Sequence, residues 1–380
     1  MSLAELILLL AFVMAGAGGA YYYLQRRDRV RTTPVTPYAE GLRAMLDGDR
    51  MKAIQKLREV VSADSSNVDA YLRLGTLFAE IGDVPRAIKI HKSLTFRSDF
   101  TTAQKIAVYR NLAIDYLKAS DVPAALEAIE RVLSFSKKDR WALEKKSELL
   151  AVQHEWEGAY EAAQKLAAAG GEVSQRYLAV LKVQEGLKFG NTKKERDGRI
   201  QFREAIKHDS TLVAPYLYWG DSYIREGRTE DAVRIWRRLM NINPAQSHLV
   251  FERLESHLFD LGRFSEIEQI YRQLIRNYPQ NVHAYAALAR FLEKRGDRGD
   301  AVAVLLDGAH QNPDSLWLRR LLIQMFGEAH EMGRVLELVR EVLSRVMKEQ
   351  YEFTCSNCGH KAGEPLWLCP RCNKLDTFHV

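Results

Sequence analysis

Small and large apolar residues recur along the middle of the chain with a period of 34 or 35 residues. The clearest unit runs from Tyr216 to Pro244 and contains Gly220, Ala232 and Trp236 at fixed offsets. Glycine and alanine let two antiparallel helices touch, large residues fill the remaining gap, and proline ends the second helix. The pattern therefore predicts a helical hairpin.

The same spacing recurs on both sides of this unit. Downstream, two further units are marked by Gly262 and Gly296, and a strong upstream unit lies around Gly75 and Ala87. A 34-residue period with these residue types is typical of the tetratricopeptide repeat. We expect an all-α array of about nine hairpins over residues 38–349, stacked into a continuous superhelix with a concave groove that binds peptides or partner helices.

An uncharged apolar run occupies the amino end, from Leu6 to Leu24. Its length, about 19 residues, is enough for a helix to cross a hydrocarbon core. Basic residues follow the run rather than precede it, which favours an anchor over a cleaved signal peptide: Arg26, Arg27, Arg29 and Arg31. We predict a transmembrane anchor over residues 1–25 and a basic juxtamembrane linker over residues 26–37, with everything beyond them in the cytoplasm.

Small residues are frequent inside the predicted span. Ala15 with Gly19 and Gly16 with Ala20 form pairs four residues apart, a spacing that lets two membrane helices approach closely. Such residues are also common in membrane helices that have no partner. The sequence therefore does not decide whether the protein forms a homodimer through its anchor.

All four cysteines lie in the last thirty residues, as two pairs with two residues between the partners: Cys355 and Cys358, then Cys369 and Cys372. Each pair lets two thiolates on a tight turn reach one ion, and ten intervening residues allow the second turn to fold back. We predict a metal-binding domain over residues 350–380 with these four ligands. Spacing does not separate iron from zinc, because both accept tetrahedral sulfur.

Composition and charge narrow the range of functions that we expect. The formal net charge is +6, without a basic stripe interleaved with aromatic residues, so nucleic acid is not an expected partner. The histidines, aspartates and glutamates do not converge in any catalytic motif, and we expect no enzymatic activity. Four cysteines kept as thiolates indicate a reducing compartment, in agreement with the predicted cytoplasmic placement.

The combination of an amino-terminal anchor, tetratricopeptide repeats and a rubredoxin-like four-cysteine end resembles the lipopolysaccharide assembly protein B family. The resemblance is sharpest over Leu72–Leu94 and Tyr351–Cys372. It implies an inner-membrane adaptor that helps the membrane AAA+ protease FtsH to degrade the deacetylase LpxC, and so regulates lipopolysaccharide synthesis. It also implies an inner-membrane partner that senses lipopolysaccharide and restrains the adaptor.

Two alternatives from other classes accompany this interpretation. One is a general scaffold that assembles envelope biosynthesis enzymes at the membrane without any role in proteolysis. The other is a redox module that uses iron bound by the four cysteines, although nothing else in the chain handles electrons. If the protein is a scaffold, removing it should leave the level of the deacetylase unchanged, whereas removing an adaptor should change that level. If the protein is an iron-containing redox module, the pure protein should absorb visible light.

Overall fold

The computed structural model describes residues 13–22, 36–190, 194–350, 353–362, 366–375 and 377–379. Residues 13–22 are helical and exposed, whereas the rest of the predicted anchor and most of the linker lie outside the described residues. No helix in the described part of the chain combines the length and the apolar character needed to cross a membrane.

The chain divides into two compact units, Met1–Ser174 and Gln175–Val380. Beyond the segment at 13–22, the first unit contains eight helices that pair in sequence order as hairpins 1 to 4. These helices are α1 (Pro37–Leu46), α2 (Arg50–Ala63), α3 (Val68–Glu80), α4 (Val84–Leu94), α5 (Thr102–Lys118), α6 (Val122–Phe135), α7 (Arg140–Val152) and α8 (Trp156–Ala168).

Ten further helices of the second unit pair as hairpins 5 to 9, and a small three-stranded ribbon follows them. The helices are α9 (Gln175–Leu187), α10 (Glu195–His208), α11 (Ala214–Arg225), α12 (Thr229–Ile242), α13 (Phe251–Asp260), α14 (Phe264–Asn277), α15 (Val282–Arg295), α16 (Arg298–Gln311), α17 (Leu316–Glu328) and α18 (Met332–Gln350), with a 3-10 helix at Pro244–Val250. The strands are β1 (Phe353–Cys355), β2 (Lys361–Ala362) and β3 (Phe378–His379). The all-α repeat architecture is confirmed.

A close contact between a small residue of the first helix and a large residue of the second holds these hairpins together. In hairpin 6 the ring of Trp236 lies against Gly220 so closely that a Cβ atom there would collide with it. The indole is fully buried, and its Nε1–H donates to the carbonyl oxygen of Leu217 at 3.3 Å. In hairpin 2 the imidazole of His91 covers Gly75 in the same way.

The second helix contributes a small residue of its own to this contact. In six hairpins it is an alanine with no exposed surface: Ala53, Ala87, Ala125, Ala159, Ala232 and Ala301. Hairpin 5 has Gly198 instead, where a Cβ atom would lie 2.9 Å from the carbonyl oxygen of Gly186. The backbones of the paired helices therefore approach to a distance that larger side chains would prevent.

The turn between the two helices has a positive φ at one residue in eight of the nine described hairpins. Five of these residues are glycines, at 48, 82, 227, 262 and 296, and two of them, Gly262 and Gly296, mark repeat units in the sequence. The other three are Ser120, His154 and His330, with φ of 59°, 62° and 58°. These three turns thus keep a positive φ without glycine, the residue that adopts it most easily.

His91 is a core residue, as its position in the repeat predicts. The ring is fully buried, with Nδ1 at 2.5 Å from Oδ2 of Asp115 and Nε2 at 3.1 Å from the carbonyl oxygen of Leu72. Asp115 belongs to α5 and is itself 2% exposed. This pair connects hairpin 2 to hairpin 3 and satisfies two buried polar groups at once.

Gly220→Ala should destabilise the second unit by about 2–3 kcal/mol, because the added methyl group forces Trp236 out of its packed position. Gly327→Ala is the matched control, since that helical glycine has no neighbouring atom within 4 Å of the added Cβ. Helix propensity makes the control neutral or more stable by up to about 1 kcal/mol. Urea unfolding of the two variants measures both effects, and equal stabilities would contradict the close-contact account.

Candidate metal centre

The carboxy-terminal ribbon is built on three short strands in the order β2-β1-β3, with β1 antiparallel to both neighbours. Phe353 pairs with Ala362, and Cys355 pairs with Phe378. Cys355 therefore ends the central strand and begins the first knuckle. These strands are too short to stabilise a domain by burial alone.

The first knuckle is closed by two backbone hydrogen bonds. The N–H of Cys355 donates to the carbonyl oxygen of His360, and the N–H of Gly359 donates to that of Cys355, both at 2.9 Å. Gly359 has φ of 69°, the left-handed conformation expected of the glycine that follows Cys358. The turn places the two thiols of this pair on one side.

The second knuckle repeats this bonding pattern without a glycine. The N–H of Cys369 donates to the carbonyl oxygen of Lys374, and the N–H of Asn373 donates to that of Cys369, again both at 2.9 Å. Asn373 takes the left-handed position with φ of 53°. Asparagine adopts this conformation more readily than most other residues, which is why the two knuckles can share one geometry.

The four sulfur atoms converge to within 4.8 Å of one another. The Sγ atoms of Cys355 and Cys372 are 3.7 Å apart, and those of Cys358 and Cys369 are 3.6 Å apart. A disulfide needs a separation of about 2 Å, whereas a tetrahedral ion with metal–sulfur bonds of about 2.3 Å places its sulfurs roughly 3.8 Å apart. The donor set fits one metal ion in a four-cysteine site.

Hydrogen bonds prepare two of these thiols for metal binding. The Cys355 thiol donates to Oγ1 of Thr377 at 3.1 Å; when Cys355 is a thiolate it accepts from that hydroxyl instead, and this bond lowers the pKa of Cys355 to about 6. The side chain of Asn357 lowers the pKa of Cys372. Both groups favour the thiolate, which is the form that binds a metal.

The pKa of Cys358 shifts in the opposite direction. The backbone N–H of His360 lowers its pKa, but removal from solvent and hydrogen bonding with Cys369 outweigh that effect and raise the pKa of Cys358. An ion entering the site displaces this proton, so metal affinity should fall as the pH falls.

All four predicted ligand residues come together. Trp367 and Leu368, directly before the second knuckle, are 73% and 52% exposed and therefore contribute little apolar burial to the ribbon. Tyr351 and the side chain of His379 lie outside the described residues, and His360 contributes its backbone carbonyl rather than a ligand.

Thr377 and Asn373 are functional residues that the spacing of cysteines does not reveal. Thr377 lies 22 residues from the thiol it contacts, so only the folded ribbon brings the two together. Elsewhere in the described part of the chain, no group of three or more histidines, cysteines and carboxylates is compact enough to hold an ion. Among the described residues, the ribbon is therefore the one candidate metal centre.

Models of known families agree with both parts of the structure. Tetratricopeptide repeat models match residues 38–92, 216–245 and 258–322, and a model described as rubredoxin metal binding domain matches residues 353–379. The chain is a tetratricopeptide-repeat protein that carries a rubredoxin-type metal-binding ribbon at its carboxyl end.

Relatives match over almost the full length. The chain is 22% identical to lipopolysaccharide assembly protein B of Escherichia coli (strain K12), over 98% of this chain and 97% of that protein. It is 23% identical to the protein of the same name from Haemophilus influenzae, with the same coverage. Similarity over almost the full length, with the repeats and the ribbon both matched by family models, supports membership of the lipopolysaccharide assembly protein B family.

Solved structures resemble the chain less closely. The structure of Naa15/Naa10 bound to HypK-THB matches 77% of this chain and 44% of that one, with a TM-score of 0.45 and 18% identity. The structure of YrrB, a TPR protein with an unusual peptide-binding site, matches 50% and 93%, with a TM-score of 0.32 and 15% identity. Similarities of this size carry no argument about function.

Replacing Cys355 and Cys358 together by serine should abolish metal binding and unfold the ribbon, because structural ions of this kind supply about 10–16 kcal/mol to their domains. The helical repeats should keep their structure, since each hairpin contacts mainly its neighbours. Metal analysis and circular dichroism measure the two effects. Retention of one ion per chain by the double variant would contradict the ligand assignment.

Thr377→Val should make the site release its metal at a higher pH. Without the hydroxyl the Cys355 thiolate is less favoured, so protons compete better, and the midpoint of acid-induced release should rise by about half a unit to one unit. Thr354→Val, on the adjacent strand, is the control with an unchanged midpoint. Equal midpoints in both variants would show that the hydroxyl does not act on the thiolate.

Proposed function

We propose that this protein is an inner-membrane adaptor in lipopolysaccharide assembly. The observation that carries the proposal is the match to lipopolysaccharide assembly protein B over 98% of the chain, which includes both the repeats and the ribbon. The basic residues after the apolar amino-terminal run support a single-pass anchor at residues 1–25 with the rest of the chain in the cytoplasm.

The chemistry of the two parts supports an adaptor rather than an enzyme. Four thiolates at Cys355, Cys358, Cys369 and Cys372 would close the coordination sphere of the ion, so no position is left to activate water. The ion, iron or zinc, holds the ribbon together. Stacked helical hairpins commonly bind partner proteins.

The finer mechanism that we propose is delivery of a client to a protease. The anchor keeps the repeats at the membrane, where they meet the membrane AAA+ protease FtsH, and the repeats bind the deacetylase LpxC. Holding both partners on one chain raises the effective concentration of the client at the protease, often by orders of magnitude over free encounter. A lipopolysaccharide-sensing membrane partner would restrain this delivery.

The half-life of the deacetylase in living cells tests this mechanism. Deleting the protein should lengthen the half-life at least severalfold, and the full chain should restore it. A variant that lacks residues 1–31 should fail to restore it, because it is not confined to the membrane. A second variant carries an unrelated single-pass anchor in place of those residues. It should restore the half-life if membrane confinement alone is needed, and fail if the native anchor makes specific contacts.

Two results would contradict the mechanism. An unchanged half-life in cells without the protein would favour a scaffold that assembles biosynthetic enzymes without proteolysis. Full restoration by the variant without residues 1–31 would show that membrane confinement is not needed.

A further inference from the structure

Hairpin 7, formed by α13 and α14, lacks the small residues that bring the helices of hairpins 1 to 6 and hairpin 8 together. Glu255 and Ile267 stand 35 residues after Gly220 and Ala232, at the corresponding positions of the repeat. A glutamate and an isoleucine require more space than a glycine and an alanine. The two helices are therefore kept from the close approach that small residues allow in seven of the other eight hairpins.

Tyr271 occupies the position that corresponds to Trp236 and replaces the missing contact by a hydrogen bond. Its side chain is 1% exposed, and its hydroxyl donates to Oε1 of Glu255 at 2.5 Å. Burial, together with the negative charge of Glu255, raises the pKa of Tyr271, so the hydroxyl keeps the proton that it donates. The separation of the helices is thus fixed by a specific buried pair rather than by loose packing.

A pocket of about 680 Å³ opens beside this pair, between hairpin 7 and the first helix of hairpin 8. Its apolar lining comes from Ile267 and three phenylalanines: Phe259, Phe264 and Phe291. Phe259 and Phe264 pack edge to face, with ring centroids 4.8 Å apart, yet they remain 62% and 42% exposed. Rings held in place and left in contact with water form a surface suited to an apolar ligand.

The charged groups at the rim of this pocket differ between its two walls. Glu252 and Asp260, both on α13, line the pocket and have no hydrogen-bond or ion-pair partner among the described residues. On the opposite wall, Arg295 is already neutralised by Glu268, at 2.5 Å, and by Asp297. Lys294 is the remaining basic group of the lining. The α13 wall therefore presents carboxylates available to a cationic group.

We propose that this pocket binds a segment of a partner protein that inserts a large apolar side chain among the phenylalanines and places a lysine or arginine against Glu252 and Asp260. The inference rests on the proposed function, in which the repeats bind partner proteins, and it assigns that binding to hairpin 7. Apolar burial supplies the attraction, and the carboxylates select the basic neighbour.

A displayed library of random 12-residue peptides, selected against the full chain in mild detergent, tests the proposal. Enriched peptides should share a large apolar residue within two positions of a lysine or arginine. A synthetic peptide of the enriched sequence should bind with an affinity that falls as salt is added, since the charged contact lies at an exposed rim.

Three variants locate the binding. Phe259→Ala should weaken the peptide at least tenfold, whereas Phe96→Ala, at a ring 81% exposed outside the pocket, should leave affinity unchanged. Glu252→Lys with Asp260→Lys should reverse the preference in favour of a peptide with glutamate in place of its basic residue. Glu255→Gly with Ile267→Ala introduces the small residues that hairpin 6 has at these positions and should abolish binding by closing the pocket.

The proposal is overturned if no peptide is enriched, if the enriched peptides lack a basic residue, or if Phe259→Ala binds as well as Phe96→Ala. The assay contains no client enzyme, so its failure would leave the adaptor proposal standing. An unchanged deacetylase half-life in cells lacking the protein would instead overturn the adaptor proposal and leave the pocket intact.

Discussion

The close contact between a small residue on one helix and a large residue on the next is the interaction on which the helical repeats depend. Trp236 can lie flat on Gly220 because no Cβ atom intervenes, and the fully buried Ala232 lets the second backbone come near. A hairpin that closes in this way exposes an apolar side that only another hairpin can cover, which accounts for the stacking. Hairpin 7 shows what happens when the small residues are missing. Where Glu255 and Ile267 replace the small pair, a pocket lined by phenylalanines appears.

The ribbon solves a different physical problem, because a segment of about thirty residues buries too little apolar surface to fold unaided. Its two knuckles use one set of backbone hydrogen bonds twice, and this repetition aims four sulfurs at one point. Thr377 then favours the thiolate at Cys355 from across the ribbon. Metal binding at these four cysteines would supply folding energy that the ribbon cannot obtain from burial.

Periodicity predicted the repeats and cysteine spacing predicted the metal centre, since both depend on residue type at fixed intervals. What sequence did not reveal depends on geometry. Ser120 and His154 adopt the left-handed turn without being glycine, so a search for glycine passes over them. Thr377 is far in sequence from the thiol it contacts. The repeat register places Glu255 and Ile267 where other hairpins have small residues, but only the structure shows that a pocket lined by phenylalanines lies beside them.

The central claim is that a membrane-confined array brings a client and a protease together. Crosslinking in intact membranes, with the tagged full chain at native abundance and identification of the captured proteins by mass spectrometry, tests this most directly. The account predicts that the membrane AAA+ protease and the lipid A deacetylase are recovered together, and that Phe259→Ala reduces recovery of the client but not of the protease. Recovery of several envelope enzymes without any protease would contradict it.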